Sequence, residues 1–118
     1  MALLLKKSNR LSQLVGFFWR LTKRCRIAEA LPLYTRALEL RQKALGEDHV
    51  ELSPIMVNIG ALHFMAGNYS DASTFFEQAL EIRKLALGVD HSQTISTLQW
   101  VAKCRAKLQE AAEAEDRD

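Results

Sequence analysis

The sequence predicts an all-α protein, an α-solenoid of antiparallel helix pairs, and three observations carry that prediction. Only five Gly and two Pro interrupt 118 residues that are 48% hydrophobic, a balance that favours long helices over many short strands. A thirteen-residue block recurs at an offset of 42 residues, a period that belongs to stacked structural repeats. Within each copy the apolar residues fall three and four apart, which places them on one helical stripe.

The block Ala37-Leu-Glu-Leu-Arg-Gln-Lys-Ala-Leu-Gly-Glu-Asp-His49 returns as Ala79-Leu-Glu-Ile-Arg-Lys-Leu-Ala-Leu-Gly-Val-Asp-His91, identical at nine of thirteen positions. In the second copy Asn68 suits an N-cap. Ala72, Phe75, Phe76, Ala79, Leu80, Ile82 and Leu87 then supply the apolar stripe. Gly88 suits the left-handed position that ends a helix. Asp90-His-Ser-Gln93 and Asp48-His-Val-Glu51 read as capping boxes that open the next helix. Leu-Gly-x-Asp-His therefore stops one helix and starts another.

The helix before that stripe runs from about Leu52 to Ala66, with Pro54 in its first turn, where a missing N–H does no harm. Met56, Ile59, Leu62 and His63 share a face, and Gly60 allows close approach of the partner helix. Shifting by the period places Leu14, Phe17 and Leu21 in an earlier copy, and Leu98, Val101 and Ala102 in a later one. The prediction is five helices, near 10–24, 27–46, 51–66, 69–88 and 92–112. They are organised as a basic segment 1–10, a degenerate repeat 11–50, a second repeat 51–91, a C-terminal capping helix 92–112 and an acidic tail 113–118. The tail has no apolar side chain beyond Ala114, so it is expected to fray. Two and a half repeats is close to the roughly three that such stacks need. A fragment of a longer array, a divergent short product and half of an oligomer all fit that count.

Charge is unevenly placed although the net value is only +2. Residues 1–28 carry seven basic side chains and no acid, whereas 110–118 hold five acids against one Arg. The acid-free start, rich in Leu and Arg, is similar to a mitochondrial presequence or a membrane-surface helix. Leu14, Phe17 and Leu21 keep the repeat phase, which argues instead for a structural helix. Membrane contact through residues 1–26 stays open. Phe17, Phe18 and Trp19 among those charges could stack bases, but they too fall on the packing phase, and the low net charge argues against a nucleic-acid partner.

No nucleophile–base pair, phosphate loop or dinucleotide fingerprint occurs, so no catalytic residue and no cofactor is expected. His49 and His91 share one repeat slot, which assigns them to the loop, and His63 reads as a core histidine with its hydrogen bonds satisfied. Cys25 and Cys104 lack metal-ligand spacing and read as reduced thiols of a cytoplasmic protein. The Asn68-Tyr69-Ser70 sequon reads as chance.

Gly60, Gly67, Tyr69, Ala72, Phe76 and Ala79 resemble the tetratricopeptide repeat. The 42-residue period with Ala-Leu-Glu-Ile-Arg-x-x-x-Leu-Gly-x-Asp-His is similar to the long-helix subclass of kinesin light chains and nephrocystin-3-like proteins. Copy one departs from the pattern: Phe18 replaces the small residue at the Gly60 position, Cys25 replaces the turn Gly, and Pro32 should bend its second helix or delay its start. His49-Val50 and His91-Ser92 stand where the family has His-Pro.

The resemblance implies a protein–protein interaction module, an adaptor or scaffold and not an enzyme, whose first helices line a concave groove. Carried over position by position, the groove residues are Val15, Trp19 and Lys23, then Val57, Asn58, Ala61, Phe64 and Met65, then Gln99, Trp100, Lys103 and Lys107. Asn58 matches the groove asparagine that bonds a peptide backbone. Its counterparts are Gly16 and Trp100, so a paired-asparagine clamp is absent. Large apolar side chains beside lysines suit a peptide or partner helix with an apolar anchor and acidic flanks.

Overall fold

The computed structural model describes residues 25–116, and among them there are helices and turns but no strand. The helix expected near 10–24 and the basic segment 1–10 lie outside the described residues. The chain divides into two compact units, residues 1–30 and 31–118. Of the first, residues 25–30 are described and are helical. The packing below is that of the second.

Helix α1 covers 25–45, and residues on both sides of Pro32 are helical. The expected delay at Pro32 is thus corrected. Proline removes a single N–H from the ladder, and the other bonds of the turn remain. A 3-10 turn, Val50–Leu52, leads into α2, Ser53–Met65, with Pro54 in its first turn as the spacing predicts. α3 spans Tyr69–Leu87 and α4 spans Ser92–Asp116. α4 runs past the expected end at 112 because Ala111, Ala112, Glu113, Ala114 and Glu115 favour helix without any packing. Gln109 Nε2 adds a bond to Glu113 Oε1 at 3.2 Å.

The turns follow the repeat, with one change of capping residue. Gly88, at φ 90°, closes α3 with its N–H on the Lys84 carbonyl at 3.1 Å. Gly67, at φ 86°, closes α2. Its N–H bonds Phe64 O at 3.1 Å while the Asn68 N–H reaches His63 O at 2.8 Å, the paired bonds of a Schellman turn. Asn68 is the N-cap of α3, but its side chain makes no capping bond.

Asp48 and Asp90 do not cap the helices that follow them. His49 and His91 do: each Nδ1 accepts from the backbone N–H two residues on, Glu51 and Gln93, both at 3.1 Å. The Ile95 N–H bonds the His91 carbonyl at 3.0 Å, so α4 starts one residue later than an Asp90 cap requires. An imidazole Nδ1 accepts such a bond through its unprotonated lone pair. His91→Ala should cost about 1 kcal/mol, and His91→Asn, which keeps a short acceptor, should recover most of it. Thermal melts of the two variants check this. Equal losses would assign the effect to ring packing instead of the cap.

Two apolar clusters flank α3. On one side Leu38 of α1, Leu52, and Ile55, Met56 and Ile59 of α2 meet Ala79 and Ile82. On the other, Ala72, Phe76 and Leu80 meet Val101 and Cys104 of α4, with Val57, Ala61, Phe64 and Trp100 packed around them. Phe76 is wholly buried. A Cβ on Gly60 would stand 2.9 Å from its ring, so the glycine is what lets α2 approach α3 here.

A buried arginine ties the three helices together. Arg83 is 7% exposed. Its Nε donates to Ser53 Oγ of α2 at 3.0 Å, and its Nη1 donates to Thr97 Oγ1 of α4 at 2.8 Å and to the Gln93 carbonyl at 3.3 Å. No carboxylate within salt-bridge distance of Arg83 is found among the described residues. Burial pushes its ionisation below the ordinary arginine range.

His63 is not the satisfied core histidine expected from the sequence. It is half-buried and stacks on Phe75 with centroids 5.6 Å apart, but its buried Nδ1 has no hydrogen-bond partner among the described residues. The ring follows its aromatic neighbour, and that stack points the nitrogen at no acceptor or donor.

Candidate functional site

The first helices of the second and third pairs, α2 and α4, both pack on α3, which brings one end of α2 beside the middle of α4. Spacings along α2 put Val57, Ala61 and Phe64 on one stripe and Asn58, Ala61 and Met65 on the next. Along α4, Trp100, Lys103 and Lys107 share a stripe, with Gln99 beside Lys103.

The aromatic members meet. Phe64 lies edge-on to Trp100, with centroids 5.5 Å apart and planes at 75°, and edge-on to Tyr69 at 5.1 Å. Phe76 stacks on Trp100 at 4.9 Å with planes 13° apart. These are the offset and edge-to-face geometries that a ring quadrupole favours. The Lys103 ammonium sits 4.8 Å from the Trp100 ring centroid, within cation–π range.

The expected groove set therefore divides. Val57, Ala61, Phe64 and Trp100 are half-buried and pack onto the core. Asn58, Met65, Gln99, Lys103 and Lys107 are exposed. Lys107 pairs with Glu110 at 3.7 Å, an exposed contact of small energetic weight. Val15, Trp19 and Lys23 lie outside the described residues.

Of the cysteines, Cys104 is fully buried beside Val101, and burial, with Glu77 adding to it, pushes its thiol up. It acts as a small apolar side chain. Among the described residues no group of three or more His, Cys, Asp or Glu is placed to hold a metal ion. No helix among them is long and apolar enough to cross a membrane.

A comparison with curated proteins gives no match. A family model does match: that of the tetratricopeptide repeat, over residues 21–85. The match covers more than half of the chain and takes in the described part of α1, all of α2 and most of α3. It takes in the Gly60–Phe76 approach and the first Leu-Gly-x-Asp-His turn. Repeats of this kind mediate contacts between proteins, and on these grounds the chain belongs to the tetratricopeptide-repeat family.

Proposed function

We propose that the chain is an adaptor that holds an extended peptide or a partner helix along the face shared by α2 and α4. One observation carries the reading: the Phe64–Trp100 pair stands half-exposed with the Lys103 ammonium over the indole. An apolar anchor on the ligand would bury against the two rings. Acidic residues beside it would meet Lys103 and Lys107. Asn58, exposed on the neighbouring stripe of α2, can both donate to and accept from a peptide backbone. Binding, not catalysis, is the activity of this reading, with no cofactor required. The 42-residue period and the length of α3 support placing the chain in the long-helix subclass of kinesin light chains and nephrocystin-3-like proteins.

Asn58→Ala should weaken binding by about 0.5–1.5 kcal/mol, the worth of one hydrogen bond. Lys103→Glu should weaken it further, and the wild-type affinity should fall as salt rises. Both side chains are exposed, so melting temperatures should stay close to wild type. Titration of a captured partner against the two variants and a deletion of residues 1–10 decides the matter. Loss of binding in the deletion alone would reject the groove.

That outcome would favour the second reading, a membrane- or mitochondrion-directed protein acting through residues 1–26, which the acid-free start supports. Under the adaptor reading the protein works in the cytoplasm. A fluorescent fusion of residues 1–30 distinguishes the two locations.

A further inference from the structure

Away from the α2–α4 face, an open cleft of about 710 Å³ lies where the end of α1 and its following turn meet α2 and α3. Its floor is apolar, with Met56 and Ile82 both buried. Leu85, on α3, projects at its edge and is 82% exposed. Three exposed carboxylates, Glu47, Asp48 and Glu81, line it from two elements. None of the three is within ion-pair distance of a cation among the described residues. Gln42 and Gln78, the remaining polar groups of the lining, are neutral, and no Lys or Arg among the described residues lines the cleft.

We infer that this cleft is a second docking site, and that it takes a basic peptide segment of another protein: one aliphatic or aromatic anchor flanked by Lys or Arg. The charge complementarity fixes the flanks. Three carboxylates around one opening repel each other and an acidic ligand, and a cationic segment relieves that repulsion. The apolar floor fixes the anchor. A side chain entering the cleft covers Leu85 together with the edges of Met56 and Ile82, while carboxylates at the rim remain solvated until a cation arrives. The volume falls in the range of sites that enclose a few side chains. The site is chemically opposite to the α2–α4 face, where Lys103 and Lys107 stand exposed, so the two would select different partners.

Selection of a randomised peptide display library on the intact chain tests the inference. Enriched sequences should carry two or more Lys or Arg beside one apolar residue. Synthetic versions should bind the Glu47→Lys/Glu81→Lys double variant at least about tenfold more weakly than wild type. Leu85→Ser, made separately, should also weaken them. Lys103→Glu should leave them unaffected, because it lies on the other face. Basic peptides that bind wild type and the double variant equally would overturn the site, and so would a selection with no basic enrichment. Concentration-dependent dimerisation abolished by the double variant would assign the cleft to a second copy and overturn the peptide partner. Acid-flanked sequences that depend on Asn58 and Lys103 bear on the α2–α4 groove alone, so either site can fail without the other.

Discussion

Phe76→Ala should lower the stability of the chain by about 3–5 kcal/mol, the largest loss expected from any single truncation here. Phe76 is the largest fully buried side chain among the described residues, and it serves two contacts at once: the backbone of α2 at Gly60 and the indole of Trp100. Its loss leaves a void between α2 and α3 and removes the ring on which Trp100 rests.

Gly60 supplies a sharper version of the same test. Ala is favoured over Gly inside a helix by about 1 kcal/mol. In the native core, however, a Cβ at Gly60 would meet three ring atoms of Phe76 at 2.9–3.0 Å, and a ring packed on all sides has little room to give. Overpacking of this kind costs about 1–3 kcal/mol, so Gly60→Ala should destabilise the wild-type chain. In the Phe76→Ala background the obstacle is gone, and the same change should stabilise. Denaturant unfolding of the two single variants and the double variant measures the reversal. If Gly60→Ala has the same sign in both backgrounds, the close approach of the two helices at this point is wrong.

Arg83 should behave in a way that a hydrogen-bond count alone would not suggest. Arg83→Ala is expected to cost about 2–5 kcal/mol, because it empties a buried volume at the meeting of three helices. Arg83→Met, which refills most of that volume, should cost less than about 1.5 kcal/mol or even stabilise. The reason lies in what each partner retains. Ser53 Oγ still donates to the Val50 carbonyl at 2.8 Å, and Thr97 Oγ1 still donates to the Gln93 carbonyl at 2.7 Å. Removing the guanidinium therefore strands no donor.

Burial also lowers the ionisation of Arg83. The folded state holds this proton less tightly than the unfolded state does. Keeping the cation thus opposes folding at every pH below the folded value, and the penalty fades only as pH rises past it. Unfolding midpoints of the two variants at neutral pH decide the point. If Met costs as much as Ala, the hydrogen bonds outweigh the volume.

The buried face of α3 was legible from the spacing of its apolar residues. Ala72, Phe76 and Ala79 stand at helical spacing, and each proves fully buried. The Leu-Gly turns were legible because only one residue type relieves the backbone there. The histidine caps were not, since Asp is a preferred N-cap and His is not, and each Asp stands immediately before its His. Arg83 was missed, although a signal was there: it lies four residues after Ala79 and three after Leu80, on the buried stripe, where a charged residue requires an explanation. Its counterpart Arg41 is exposed. The same shift of 42 residues carries Thr97 to Ile55 and Gln93 to Glu51, so copy one has no hydroxyl to receive that guanidinium. For the groove, helical spacing could say which residues share a side of α2 or α4. How far Phe64 and Trp100 would sink toward Phe76 depends on packing between helices, and periodicity within one helix carries no information about it.

The placement of α3 between two clusters has a consequence for amide hydrogen exchange. An amide in the middle of α3 cannot meet solvent catalyst unless α2 or α4 first separates from it, so its exchange should track the opening of the whole described unit. The end of α4 is different. Beyond Cys104 every described residue of that helix is exposed, and a helical stretch of that length without packing is marginal in water. Its amides should exchange by fraying from the end, orders of magnitude sooner than those of Ala79 or Leu80. Across a single continuous helix, Ser92–Asp116, protection should therefore fall steeply in the turn after Cys104.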